Sequence, residues 1–141
     1  MIKTPTSSEI QEIAAIWLES NCSAHGFIPA EYWHAQYNAV KEMLPQAQLF
    51  AYYKNREIAG FLGLMEQHIA GIFVKTDCQH QGIGKALLAE AKKQQKVLTL
   101  SVYAKNKQAQ QFYQRQGFEY TGSQIDSATD ELEYQMTWQA D

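Results

Sequence analysis

The sequence predicts an α/β fold, because segments of helical periodicity alternate with segments of strand periodicity along its 141 residues. Two units carry most of that reading. An apolar run from Ile69 to Val74 passes through a glycine turn into an amphipathic helix, and a second unit from Thr99 to Phe118 reads as strand, turn, short helix and strand start. No repeat, linker or low-complexity tract divides the chain, so residues 1–141 are expected to form one domain.

The elements follow in order. Ile10, Ile13, Ala14 and Trp17 recur at helical spacing and mark the apolar face of a first helix, with Ser7 or Ser8 as its expected cap. A loop from Asn21 to Ile28, containing His25 and Phe27, leads to a second helix over about Pro29 to Met43, where Pro29 suits the first turn because its missing N–H is not needed there. Trp33 and Tyr37 lie four apart on that helix and are expected to face the core. Leu49 to Tyr53 and Ile58 to Met65 read as a hairpin around the polar turn Lys54-Asn55-Arg56-Glu57. Beyond the glycine turn, Ile83, Leu87, Leu88 and Ala91 share one helical face. From Val97 to Tyr103, Leu100 and Val102 alternate with Thr99, Ser101 and Tyr103, the pattern of a strand with unlike faces. Asn106 is placed to cap the next helix, Ala109, Phe112 and Tyr113 form its inner stripe, and Gly117 stands where a left-handed residue ends it. Strands near Glu119 to Ile125 and Glu131 to Trp138 complete the chain.

The turn Gln79-His80-Gln81-Gly82-Ile83-Gly84-Lys85 is suited to an anion. A helix N-terminus presents unpaired N–H donors and about half a positive charge, and glycines keep side chains out of the way of an anion's oxygens. The spacing is not that of a Walker loop, since Gly82 and Gly84 are two apart and Ala86 follows Lys85. Nor is it a dinucleotide fingerprint, whose third glycine is here Leu87.

The two units together resemble the GNAT family, the GCN5-related N-acetyltransferases. One motif of that family is similar to Ile72-Phe73-Val74 followed by Gln79-x-x-Gly82-x-Gly84. The other is similar to Asn106, Ala109, Phe112, Tyr113, Gly117 and Phe118 at matching spacings. The segments Trp17-Leu18-Glu19-Ser20 and His25-x-Phe27-Ile28-x-x-x-Tyr32-Trp33 resemble its small bacterial members. The resemblance implies a mixed, twisted central sheet of about six to seven strands with helices on both faces. It also implies transfer of the acetyl group of acetyl-CoA to a primary amine: a protein lysine, a protein N-terminus or a small molecule.

The same resemblance implies a residue set. Acetyl-CoA would lie in a V-shaped gap between the strand ending at Val74 and the strand before Asn106. The main chain of Ile72, Phe73 and Val74 would lie along it, with Gln79, His80, Gln81, Gly82, Ile83, Gly84 and Lys85 at the pyrophosphate and Asn106 and Tyr113 alongside. A lysine amine has a pKa of about 10.4, so something must take its proton before attack. Relatives place a glutamate at the position of His68. Glu66 falls on the same side of an ideal strand, Ser101 stands where some relatives have another glutamate, and His25 or water are further candidates. The Ile72 N–H would meet the oxyanion, and Tyr113 would protonate the leaving sulfur. His25, Phe27 and Tyr32 would roof the acceptor site.

Composition is consistent with these readings. With 45% hydrophobic residues the chain is expected to be globular. Its net charge of −3 is unlike that of a general nucleic-acid binder, so no nucleic-acid partner is expected. No signal peptide and no long apolar stretch is evident, and a soluble cytoplasmic protein without a membrane partner is expected. Cys22 and Cys78 stand far apart and outside any metal-ligand spacing, so reduced thiols and no metal are expected. The covalent acetyl-cysteine route is disfavoured against direct transfer, because Cys78 adjoins the phosphate turn and Cys22 has no neighbouring base. A catalytically silent CoA-binding module is the alternative function. A homodimer is a further possibility, since Tyr134, Met136 and Trp138 alternate as either an interface or a core face would.

Overall fold

The computed structural model describes residues 1–141. Its strands are β1 (Ile2–Lys3), β2 (Gln48–Lys54), β3 (Glu57–Met65), β4 (His68–Val74), β5 (Val97–Tyr103), β6 (Glu119–Asp126) and β7 (Glu131–Gln139). Its helices are α1 (Ile10–Ala24), α2 (Ala30–Met43), α3 (Ile83–Gln94) and α4 (Lys107–Arg115). The strands form one sheet of order β1-β2-β3-β4-β5-β7-β6. Only the β4–β5 pair is parallel.

The sheet buries both faces of its middle strands, which is why β3 reads as a continuous run (Ile58, Ala59, Phe61, Leu62, Leu64) interrupted only by glycines. One face packs Leu62, Leu64, Ile69, Leu98, Leu100 and Met136 against Ile83, Leu87, Leu88 and Ala91 of α3, with Phe112 and Tyr113 of α4 beside them. The other packs Leu49, Ala51, Ile58 and Phe61 against Ile13, Ala14 and Ile16 of α1. The helices stop there. Beyond β4 no helix covers the second face; loop residues His25 and Phe27 pack on Tyr103 at the end of β5, and Ser101 of β5 is exposed.

Several expectations need correction. The short strand β1 was not foreseen; two residues carry no period, and only pairing with Ala51 and Tyr52 makes them a strand. The chain enters α1 through a 3-10 turn over Ser7–Glu9, and the Glu9 carboxylate accepts the Thr6 N–H at 2.9 Å, so the cap is the Thr6–Glu9 pair and not Ser7 or Ser8. Pro29 precedes α2 and stands outside its first turn. Tyr134, Met136 and Trp138 all face the α3–α4 core, which accounts for their alternation without an interface. Trp33 is buried as expected, and Gly117 closes α4 with φ of +94°.

The feature that positions the site is a bulge. Gly63 pairs with Gly71 but Leu64 pairs with Ile69, which leaves Ala70 as an extra residue in β4. Just before it, His68 opposite Thr99 is the single rung joining β4 to β5, whereas β5 pairs with β7 along its whole length. Past the bulge, β4 and β5 part. Gly60 fixes the other side of β4: a Cβ there would come within 2.8 Å of the Phe73 carbonyl and 3.2 Å of Ile83. Gly60→Ala is therefore expected to destabilise the fold by about 1–3 kcal/mol through overpacking against backbone, read as a lowered Tm.

Candidate active site

The splayed strands leave main-chain groups without sheet partners. The Lys75 N–H donates to the Ala59 carbonyl at 2.8 Å. Such pairing recurs at every second residue of an antiparallel ladder, so Phe73 bonds to its partner Phe61 while the main chain of Ile72 and Val74 faces away from β3 and into the gap. The Val74 carbonyl accepts from the Ser20 hydroxyl at 3.4 Å and from the Gln79 side-chain amide at 3.3 Å. Gln79 is thereby tied to the end of β4. The Phe73 ring turns to the α1 side, stacked on Phe61 at 5.1 Å and lying where a Cβ of Gly71 would be.

At the wide end of the gap stands the glycine turn. His80 and Gly82 are both left-handed, with φ of +63° and +82°. Alternation of this kind turns successive N–H groups inward as an anion nest. A Cβ at Gly82 would meet nothing within 4 Å, so glycine is required there by backbone conformation, and the space beside it is open. Gly84 serves packing instead: its Cβ would lie 3.4 Å from Phe112 of α4. Ile83 sends its side chain into the core. The first turn of α3 contains no acidic residue, and Lys85 is exposed there. Lys54, on the β2–β3 hairpin, donates to the Gln81 amide oxygen at 2.7 Å. Sequence reading missed Lys54, because nothing in its own segment says that the hairpin turn reaches the glycine turn.

Across the gap, Asn106 and His25 meet. Asn106 Oδ1 accepts the Ala109 N–H at 3.2 Å and caps α4, so its Nδ2 is the group 3.2 Å from His25 Nε2. An amide NH₂ only donates; His25 Nε2 must therefore accept, and the proton of the neutral ring sits on Nδ1, which is buried without a partner. Neither nitrogen then has a free lone pair, which removes His25 as a base in this arrangement. The ring is half-buried and packs on Tyr103 at 5.0 Å, Trp33 at 5.5 Å and Phe27 at 5.7 Å. Burial depresses its pKa to about 4.

The same aromatic cluster holds Tyr32, whose ring meets Trp33 at 4.9 Å. Tyr103 donates to Asp126 at 2.8 Å, tying the end of β5 to the β6–β7 turn. Burial pushes the Asp126 carboxyl up, but donors from Tyr103, Ala128 and Thr129 together bring it below its ordinary value. Tyr103 and Asp126 were also missed by sequence reading, which treated the two strands separately.

At the narrow end, His68 is exposed at the start of β4, and its Nδ1 lies 3.0 Å from the Thr99 hydroxyl. Glu66 is not on an ideal strand: it occupies the β3–β4 turn with φ of +56°, so the alternation that put it beside His68 does not hold. Ser101 lies two residues beyond Thr99 on the same open face. Tyr113 packs between Phe112 and Phe118 at 5.4 and 5.7 Å on the α3–α4 side. Burial raises its pKa to about 12.

The depressed pKa of His25 makes stability pH-dependent. Between about pH 6.5 and 4 the unfolded chain binds a proton at His25 that the folded chain refuses, so stability falls as pH is lowered through that window. His25→Gln, whose amide oxygen can accept from Asn106, is expected to flatten the decline of Tm over the window; an equally steep decline in both proteins would contradict the buried neutral imidazole.

Residues 13–130 match the family model described as an acetyltransferase (GNAT) domain. The chain is 34% identical to the peptidyl-lysine N-acetyltransferase YiaC of Escherichia coli K12 over 140 residues, 98% of this chain and 96% of that protein. It is 34% identical to the peptidyl-lysine N-acetyltransferase YjaB of the same organism over 127 residues, 89% of this chain and 86% of that one. The solution structure of apo YjaB superposes with a TM-score of 0.88 at 29% identity, covering 100% of this chain and 98% of its own. A further likeness in fold, with TM-score 0.70 at 15% identity over 100% of this chain and 94% of the other, is to yncA of Salmonella typhimurium, solved with its cofactor acetyl-CoA. With a parted parallel strand pair, a glycine-nested helix N-terminus and a family match over most of its length, the chain belongs to the GNAT family and is an N-acetyltransferase.

Proposed function

We propose that this protein transfers the acetyl group of acetyl-CoA directly to the side-chain amine of a protein lysine. The observation that carries the reading is the gap itself: main chain on β4 without a strand partner, running from the nest at Gly82 to the His68–Thr99 rung, where the open face of the sheet begins. That sequence of features fits acetyl-CoA. An extended, amide-bearing arm would complete the edge of β4 as an added strand does, and a pyrophosphate would take the N–H groups of the turn. Lys54 and Lys85 would supply positive charge beside it. Asn106, with one amide hydrogen not given to His25, would lie alongside.

Acetyl-CoA supplies a thioester carbonyl open to attack by an amine. The chain's own residues do the rest. The face of β5, β7 and β6 that no helix covers gives an extended peptide room to lie beside His68, and the peptidyl-lysine N-acetyltransferase activity for which the relatives YiaC and YjaB are named supports a peptidyl lysine. His25, Phe27 and Tyr32 wall the acceptor side as rings that favour an alkyl-ammonium stem. His68 takes the proton of the acceptor. The Ile72 N–H, held by the strand before any charge develops, meets the negative oxygen. Tyr113 gives a proton to the departing sulfur; its raised pKa keeps the hydroxyl protonated, and so able to donate, at all physiological pH. Burial and the Asp77 carboxylate push the Cys78 thiol up, which leaves it a poor nucleophile and favours direct transfer.

Mass-spectrometric assay of purified protein with acetyl-CoA and lysine-containing peptides is expected to show acetylation of the lysine side chain, and acetylation confined to peptide N-termini or small amines would refute the substrate class. Gly82→Glu places a carboxylate in the nest and a strained residue at φ of +82°, so calorimetric binding of acetyl-CoA is expected to disappear. Tyr113→Phe is expected to lower kcat about 10–100-fold with acetyl-CoA affinity within about twofold of wild type. Equal turnover in the two proteins would remove the acid role.

A further inference from the structure

We propose that Thr99 is a positioning residue for His68: its hydroxyl holds Nδ1, so that Nε2 faces the open side of the sheet and takes the proton of the acceptor amine. The proposal rests on the reading of His68 as base given above.

The geometry starts from the rung. His68 and Thr99 are register partners, and the Thr99 N–H donates to the Gln67 carbonyl at 2.9 Å, so the two backbones are fixed to each other at the one place where β4 and β5 still pair. Side chains opposite each other on a sheet share a face. Here that face is the one the helices leave uncovered, and the Nδ1 to Oγ1 distance is 3.0 Å. This is the imidazole's only hydrogen bond, which leaves Nε2 as the free nitrogen. The bulge at Ala70 then carries β4 away, so no later residue of that strand can be pinned to β5 in this manner.

For Nε2 to accept a proton, Nδ1 must carry one and needs an acceptor for it. Thr99 Oγ1 is the side-chain acceptor within reach, and it serves the neutral ring and the cation alike. No carboxylate takes that part. From β3 the register partner of His68 is Met65; the titratable residues closest in sequence on the adjoining segments are Glu66 in the turn and Lys96 before β5, and neither bonds to the ring.

The step balances as follows for an acceptor that arrives as an ammonium ion. Nε2 takes one proton and passes it to solvent. The neutral nitrogen forms the C–N bond, and the C–S bond breaks with its electron pair left on sulfur. Sulfur takes the proton of the Tyr113 hydroxyl, and the second proton shed by the new amide nitrogen returns to Tyr113 through water. Acetylated amine, free thiol and one proton result.

The test pairs Thr99→Val, isosteric and suited to a strand, with Thr99→Ser, which keeps the hydroxyl, and with His68→Gln. Thr99→Val is expected to lower kcat about tenfold and to shift the limb of the pH–rate profile that reports the base, with KM for acetyl-CoA within about twofold; Thr99→Ser should recover most of the loss. His68→Gln should cost at least as much, and adding Thr99→Val to it should cost nothing more. Nitrogen-15 spectra of the His68 ring near neutral pH give a readout independent of acceptor: the Nδ1-protonated tautomer in wild type, lost in Thr99→Val. A wild-type ring protonated on Nε2, or unchanged kcat and pH profile in Thr99→Val while His68→Gln is impaired, overturns the role of Thr99 and leaves acetyl transfer standing. Full activity in His68→Gln overturns both the base and its positioning.

Discussion

Two parallel strands that part after one rung leave backbone donors and acceptors facing each other across a space too wide for a hydrogen bond. In a protein interior that arrangement costs free energy for every group left unpaired. It persists here because the bulge at Ala70 is built into the β3–β4 ladder, and because β5 is held along its other edge by all of β7. The strand cannot close the gap without breaking a ladder elsewhere. The gap is thus a constraint stored in the sheet, one that a ligand with amides of its own would relieve.

The surrounding parts are arranged by that gap. The α3 and α4 helices pack on one face, α3 carrying the glycine turn at its N-terminus and α4 carrying Tyr113. On the other face α1 crosses β4, with Ser20 on the Val74 carbonyl, and the following loop reaches over to Asn106 through His25. One residue therefore joins the loop between α1 and α2 to the cap of the helix that carries Tyr113. Its desolvated, neutral ring is the cost of that bridge.

Much of this was legible beforehand, and for identifiable reasons. Long amphipathic elements such as α3 declare themselves by period, and Gly117 declares itself by a conformation few other residues adopt. The family resemblance singled out the main chain of Ile72 and Val74, and the β3–β4 ladder turns both away from β3. Glu66 was misread because a two-residue turn and a strand end look alike in sequence, yet φ of +56° there undoes the alternation. Lys54, Tyr103 and Asp126 escaped notice because their roles lie in partners 27 and 23 residues away, and no local pattern encodes such distances.

By itself, the sequence determined the types of the longer elements, the left-handed Gly117, the helix cap at Asn106 and the family, since each depends on local sterics or on fixed short spacings. Only the tertiary structure decided the register of β3 on β4. That register placed the extra residue at Ala70, and with it where the strands part and which imidazole nitrogen remains free at His68; the approach of the α1–α2 loop to Asn106 decided which is already spent at His25. Hydrogen bonds between segments set those outcomes, and a single residue of slip in the ladder would have changed the first two.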